Sequence, residues 1–233
     1  DTTPNTILVG GTGMQTWDFT SLQIDVLNEN AFIDPSTTFA DSSFPNSNIA
    51  VDVNNGSSLN FGTVTADSFN IDGFWGDPFG FGMPVTVVFN PTNKMMEFPS
   101  TLNNSFQSHY RLENKFPVNP PQFGIDSAQV IRNAYAFRTM DAYGTLITLA
   151  DSFDCLRQFS VDTAIDSIYV HANGAWNPMP PEFIAFLPPE WGYTNNPDTS
   201  VTYIYSWYAY NEGMAVAEVT TVAPSGNVLT ASF

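Results

Sequence analysis

The sequence predicts an all-β protein, an antiparallel β-sandwich or jelly-roll-like fold with long Pro- and Gly-rich loops. Helix signals are scarce, and 17 Pro and 15 Gly spread over 233 residues cut the chain into short segments bounded by turn chemistry. Those segments alternate apolar with polar residues or are rich in β-branched ones, the pattern of a strand with one buried face. Several are joined by residues that close tight hairpins. Many short strands with close turns favour an antiparallel sandwich over a βαβ fold.

Strands are expected, in order, at Leu22–Leu27, Ile49–Val53, Ser68–Phe74, Val85–Phe89, Thr145–Leu149, Ser167–His171, Val201–Tyr210, Met214–Val222 and Val228–Phe233. Ahead of the first, Trp17 and Phe19 alternate around Asp18 as a strand with a buried face would. The Gly10–Gly13 cluster reads as a turn, since it lacks the Lys of a phosphate loop and the third Gly of a dinucleotide fingerprint. Asp126 could cap a helix, yet Val130, Ile131, Tyr135 and Phe137 suit a strand, and Asp126–Met140 is read as one. Gly144, after Tyr143, reads as a hairpin turn. Asn173-Gly174, Asn211-Glu212-Gly213 and Pro224-Ser225-Gly226-Asn227 supply turns for the later strands. Two Pro-rich loops, Phe116–Phe123 and Asn177–Trp191, carry aromatics expected to pack down. Residues 1–233 are therefore read as one domain, with at most a weak boundary near 116–123.

Aromatics are the main positive feature. Along Val201–Tyr210, Tyr203, Tyr205 and Trp207 fall on one face, and Ile204, Tyr208 and Tyr210 fall on the other. One face must be core, which leaves an aromatic stripe on the surface or at an interface. The run Gly73–Gly82 holds four large rings on a glycine-rich backbone and is expected to fold onto the sheet or to contact a partner.

Six Lys and Arg stand against 23 Asp and Glu, a formal net charge of −17. Such a polyanion repels phosphate backbones and anionic lipid, which excludes nucleic acid and membrane surfaces as partners. No apolar run approaches the ~20 residues that cross a bilayer. An apolar content of 43% excludes disorder. Cys155 is the single cysteine and His109 and His171 the two histidines, so CxxC chemistry and an imidazole-built zinc site are excluded. The chain opens at Asp1 with neither an initiator Met nor an apolar leader, as an exported protein does after signal-peptide removal. Low Lys content with abundant Asn, Ser, Thr, Asp and aromatics also suits an extracellular β-protein.

The segment Gly11-Thr-Gly-Met-Gln-Thr-Trp17-Asp-Phe-Thr-Ser-Leu22 resembles an opening found in exported proteins of the Bacteroidota, which often carry a C-terminal sorting domain for the type IX secretion system. Met140-Asp-Ala-Tyr-Gly144-Thr-Leu-Ile-Thr-Leu-Ala, continuing through Phe153-Asp-Cys-Leu-Arg157, is similar to the Asp-x-Tyr-Gly-Thr-Leu turn and Leu-Arg strand of the same proteins. Tyr205-Ser-Trp207-Tyr, with the strand after Gly213, is similar to their closing strands. The matches span most of the chain in the same order. The resemblance implies a β-rich secreted or surface-attached module of unassigned activity, and it transfers no catalytic residue.

Glycoside hydrolysis needs two carboxylates roughly 5–10 Å apart, one with a raised pKa. Glu182 and Glu190 flank the Pro-rich loop Pro180–Trp191, where Trp191 could stack on a sugar, although two solvated loop acids explain the same pair. No Gly-x-Ser-x-Gly elbow occurs, and neither histidine sits in a recognisable triad context. Calcium is a better candidate than catalysis, because its oxygen ligands crowd three loops: Asp72-Gly-Phe-Trp-Gly-Asp77, Asp151-Ser-Phe-Asp154 and Asn195-Asn-Pro-Asp198. The same residues also make turns by bonding their own backbone. The resemblance implies O-glycosylation at an Asp-Ser/Thr-apolar motif, with Ser127 and Thr163 expected first and Ser167 next. That expectation reads Asp162–Ile168 as a polar stretch between strands and Asp126–Ala128 as the continuation of an exposed loop. Together these features predict a non-enzymatic secreted or cell-surface module that binds or assembles, as a homo-oligomer or with other surface proteins. The alternative is a carbohydrate-binding module or glycoside hydrolase with exposed platforms at Trp75, Trp176 and Trp191.

Overall fold

The computed structural model describes residues 7–22, 29–77, 84–122, 124–185, 187, 192–224 and 228–232, with backbone alone at 119–122. The chain is all-β, as the turn-rich alternating sequence predicts, in a sandwich-like antiparallel arrangement. Its strands are β1 (Gly13–Asp18), β2 (Asn30–Ile33), β3 (Ile49–Val53), β4 (Ser58–Val64), β5 (Ser68–Gly76), β6 (Val85–Glu97) and β7 (Ser105–Gln122). They continue as β8 (Ile125–Ile147), β9 (Ser152–Ala172), β10 (Ala175–Pro178), β11 (Asp198–Ala209), β12 (Ala215–Thr221) and β13 (Val228–Ser232). One sheet joins all thirteen in the order β13-β12-β11-β9-β8-β7-β6-β5-β4-β3-β2, with β10 added to β9. Helix among the described residues amounts to one turn, α1 (Pro181–Ile184), and two 3-10 turns at Pro35–Thr37 and Asp41–Ser43.

The spine is the meander of β7, β8 and β9, with 18, 23 and 21 residues. β6 meets β7 at a single paired position, Phe89 opposite Leu112, and there the sheet turns over on itself. Met95 of β6 then lies across strands that are not its sheet neighbours: its sulfur accepts from Arg138 of β8, and its carbonyl accepts from Gln158 of β9 at 3.1 Å. Hairpin geometry follows the residues that tolerate positive φ. Asn173 (54°) and Gly174 (78°) close β9 onto β10, and Asn211 (66°) and Gly213 (72°) close β11 onto β12.

Three apolar clusters hold the layers. One packs Ala40 and Phe44, from the loop around the 3-10 turns, onto Ala50, Leu59 and Phe61 of β3 and β4. A second seats Met179 and Ile184, in the segment after β10, on Val130, Ile168 and Val170 of β8 and β9. The Asn177–Trp191 segment thus packs down where it is described. The largest cluster gathers Trp17 and Phe19 with Ala142, Leu146, Cys155, Tyr205, Trp207 and Val219. At its centre is a charge, the Arg157 guanidinium, only 1% exposed. Its Nε and Nη2 donate to both Asp141 oxygens at 2.9 and 2.8 Å, and Nη1 and Nη2 donate to the carbonyls of Val9 and Gly11. The rings of Trp17, Tyr205 and Trp207 surround it, with centroids 5.6, 5.0 and 5.9 Å away.

Several expectations need correction. Gly144 is not a hairpin turn. The segments expected separately at Asp126–Met140 and Thr145–Leu149 are parts of one continuous strand, β8, which ends at Ile147. Gly144 (φ 145°) sits where β1 runs parallel to β8, opposite Gln15, and a Cβ there would collide with the Gln15 carbonyl oxygen. The Pro-rich stretch from Phe116 is not a loop either, because β7 continues through Phe116 and Pro117, paired with Ala128 and Ser127. Likewise Asp162–Ile168 is not a stretch between strands but the middle of β9, flanked by β8 and β11. Its acids alternate inward: Asp162 pairs with Arg138, and Asp166 takes a bidentate pair from Arg132 at 2.7 Å. The Leu22–Leu27 strand and the Pro224–Asn227 turn fall largely outside the described residues.

Half-buried Glu218 of β12 shares that inward side, accepting from Ser206 at 3.0 Å. Burial raises its pKa above the usual 4.5, outweighing the Ser206 hydrogen bond and the positive field of Arg138. The folded state therefore holds this proton to higher pH than the unfolded chain does, so the contribution of Glu218 to stability falls as pH rises from about 4.5 through the raised value. Glu218→Gln should leave stability unchanged below that window and raise it at pH 7, as read by urea titrations across pH. Arg157→Met strands the Asp141 carboxylate and two carbonyls in the core and should cost about 3–5 kcal/mol in chemical denaturation. Gly144→Ala should dislodge β1 and lower the midpoint by a similar margin, whereas Gly174→Ala, with open space around its Cβ, should cost far less.

Candidate interaction surface

The long strands β7, β8, β9 and β11 have two unlike faces. On β8 the even positions turn inward, with Ala134, Ala136, Arg138 and Met140 all buried. The odd positions face out, and there Tyr135 is 51% and Phe137 46% exposed. Register extends this outer face across the sheet. His109, Tyr135, Thr163 and Val201 form one cross-strand row, and Gln107, Phe137, Val161 and Tyr203 form the next. The His109 and Tyr135 rings stack at 4.6 Å with planes 14° apart. Phe159 follows, stacked on Tyr203 at 6.4 Å and on Tyr205 at 4.8 Å. Tyr205 belongs to the Arg157 core, so the exposed rings continue the core rather than forming an isolated patch. Val201, 46% exposed, completes the apolar area. Toward the far end of β7 the same face turns polar through Arg111, Glu113 and Lys115, with Glu113 bridging the other two at 3.3 and 3.2 Å.

On β11 the face of Tyr203, Tyr205 and Trp207 is the core face, with Tyr205 and Trp207 buried. The other face carries no exposed stripe, since Ile204 and Tyr208 are half-buried and Tyr210 alone is 88% exposed, and the exposed rings lie instead on β8. Tyr135 and Phe137 were legible as strand residues, but their exposure was not. It depends on which strands flank β8 and on the absence of any described segment laid across this face, neither of which alternation alone encodes.

The structure disperses the other candidates. Trp75, on β5, is half-buried against Phe39 with ring centroids 4.7 Å apart. Trp176, on β10, is 40% exposed. It lies beside His171, and the Lys115 ammonium stands 5.6 Å over its ring. Trp191 and Glu190 lie outside the described residues, and Glu182 is exposed in α1. Asp72 is buried and takes hydroxyl hydrogen bonds from Ser47 and Thr63 at 2.7 and 2.6 Å. Asp77 closes β5 at the edge of the described segment. Asp151 accepts from the Ser152 amide, and Asp154 accepts from Thr145. Asp198 accepts from the Thr194 amide and hydroxyl and from the Asn195 amide, bonds that hold its carboxyl below the usual range. Among the described residues no three His, Cys, Asp or Glu side chains converge on a metal position. Ser127, Thr163 and Ser167 are half-buried strand positions on β8 and β9. Beside Ser127, Asp126 is held below its usual pKa by its hydrogen bond to His171. Burial pushes the Cys155 thiol up to about 11, so it stays protonated and poorly nucleophilic at neutral pH.

Each of the six basic side chains has a carboxylate partner: Lys94 with Glu97, Arg111 and Lys115 with Glu113, Arg132 with Asp166, Arg138 with Asp162, and Arg157 with Asp141. No positive charge is left over to offset the remaining acids. No family model, curated protein or solved structure matches this chain.

Proposed function

We propose that this chain is a non-enzymatic secreted or cell-surface module that works by assembly, docking the outer face of β7, β8, β9 and β11 against a second copy or another surface protein. The observation that carries this reading is the row of half-exposed Tyr135, Phe137 and Val201 running without a break into the core rings at Phe159 and Tyr205. Covering the exposed half of each large side chain contributes about 1 kcal/mol, and contiguity lets those contributions add. Export rests on composition and on the Bacteroidota resemblance. The three segments that carry the resemblance meet in space, for Trp17, Asp141, Arg157, Tyr205 and Trp207 are all members of the Arg157 cluster.

Sugar binding on tryptophan platforms is the weaker alternative, because a pyranose ring needs an aromatic face turned to solvent. Trp176 has Lys115 over one side, Trp75 packs on Phe39, and His109 and Tyr135 spend a face on each other.

Sedimentation of the native protein should show a mass that grows with concentration. Association should strengthen from low to moderate salt, as screening relieves repulsion between copies of charge −17. The Tyr135→Ser, Phe137→Ser double variant should stay folded and monomeric. A native protein that remains monomeric at every concentration and salt, alone and with candidate surface partners, would overturn the reading.

A further inference from the structure

At the Met140/Ala142 bulge, β8 exchanges neighbours: β7 pairs with it up to Thr139, and β1 pairs with it from Ala142 onward. The two partners do not abut. On the side of β8 opposite the Arg157 core this leaves an open groove of about 740 Å³, floored by Tyr143, Thr145 and Asp154 and walled by Met14 on one side and by Ser100 and Thr101 on the other.

The chemistry of the groove is one-sided. Four of its polar side chains spend a donor on the protein. The Ser100 hydroxyl donates to the Glu97 carbonyl at 2.5 Å, Thr101 donates to Asn104 Oδ1 at 2.5 Å, and Thr145 donates to Asp154 Oδ1 at 3.4 Å. The Gln15 amide donates to the Thr12 carbonyl at 3.2 Å. Asp154 is the single charged group of the lining. No Lys, Arg or His lines the groove, so an anion has no counter-charge there. The ring of Tyr143, 44% exposed, and the thioether of Met14, 75% exposed, supply soft apolar surface beside the carboxylate. A carboxylate beside an open aromatic ring, with no cation in the lining, selects a donor-only cation on an alkyl stem. The field of a −17 chain draws such a cation in.

We infer that this groove binds an alkylammonium group, with Asp154 as its counter-ion and Tyr143 as its apolar wall. Both lysines of this chain already stand beside carboxylates of their own. We take the ammonium to belong to a different molecule, either a free polyamine or the lysine side chain of another protein laid along the outer edge of β1. The groove is separate from the β7–β11 face, so this inference does not depend on the assembly reading.

The test follows the Met14 methyl signal by NMR during titration with two probes, spermidine and the capped tripeptide acetyl-Ala-Lys-Ala-amide, with cellobiose as the uncharged competitor. Saturable shifts of Met14 are expected with an ammonium probe. Asp154→Asn should weaken them by about tenfold, the size of one charge-assisted hydrogen bond. Glu182→Gln, an exposed acid in α1 beside the opposite end of β8, should change them little. Tyr143→Leu should weaken binding without removing the charge. Stronger binding of the tripeptide identifies a protein partner, and stronger binding of spermidine identifies a free polyamine. Equal weakening by Asp154→Asn and Glu182→Gln would reduce the effect to diffuse attraction and overturn the inference. Cellobiose binding that ignores Asp154, or no saturable shift with either probe, would overturn it as well.

Discussion

The fold is organised around one desolvated cation. Burying a guanidinium costs several kcal/mol unless its charge and its donors are satisfied, and Arg157 meets that condition only when four separate pieces of chain are in place. Asp141 supplies the charge, the Val9 and Gly11 carbonyls take the remaining donors, and Trp17 and Trp207 exclude water. Each piece belongs to a different element, so the largest core is tied together by hydrogen bonds as well as by apolar area. The Trp17 indole also donates to the Val9 carbonyl at 2.8 Å, which fixes the segment before β1 against the same centre.

The same economy of charge explains the two faces of the β7–β8–β9 meander. Arg132 and Arg138 point inward from β8 because Asp166 and Asp162 point inward from β9 at matching register. Beside those pairs the inner side also buries Ala134, Ala136 and Met140, while the outer side exposes Tyr135 and Phe137 before it turns to Arg111, Glu113 and Lys115. Paired charges within and exposed rings without depart from the usual arrangement for a sheet. The departure is sustained by pairing on one side and, in our reading, by a partner on the other.

Much of the fold was legible in the sequence. The hairpin turns at Asn173-Gly174 and Asn211–Gly213 and the strands at Ile49–Val53 and Ser167–His171 follow from local chemistry, which needs no tertiary context. Alternation also put Trp17 and Phe19 on a buried face and Tyr205 and Trp207 on one face of β11, but did not say which β11 face is core. What escaped was set by distant neighbours. Gly144 looks like a turn because glycine is common in turns, yet the residue that requires it is Gln15, on a strand far away in sequence. Asp162 and Asp166 look like loop residues until the arginines across the ladder are known. β7 was hidden because Pro117 and its neighbouring prolines read as punctuation, and here they end a long strand near a hairpin tip. The groove beside Tyr143 was out of reach altogether, being a gap between two strands that only the assembled sheet defines.

The parallel pairing of β1 with β8 also fixes an order of events. Every other pairing described joins antiparallel strands, most of them successive in the chain, whereas the bond from Arg157 to Gly11 spans 146 residues. Closing so long a loop is entropically disfavoured until the strands that receive it exist. A chain synthesised from its N-terminus therefore carries β1 unpaired, with Trp17 and Phe19 uncovered, until Arg157 has emerged and β8 and β9 have zipped. β1, made well before the strand that receives it, is among the last of the described strands to find its place, and until then its apolar side chains need shelter from other chains.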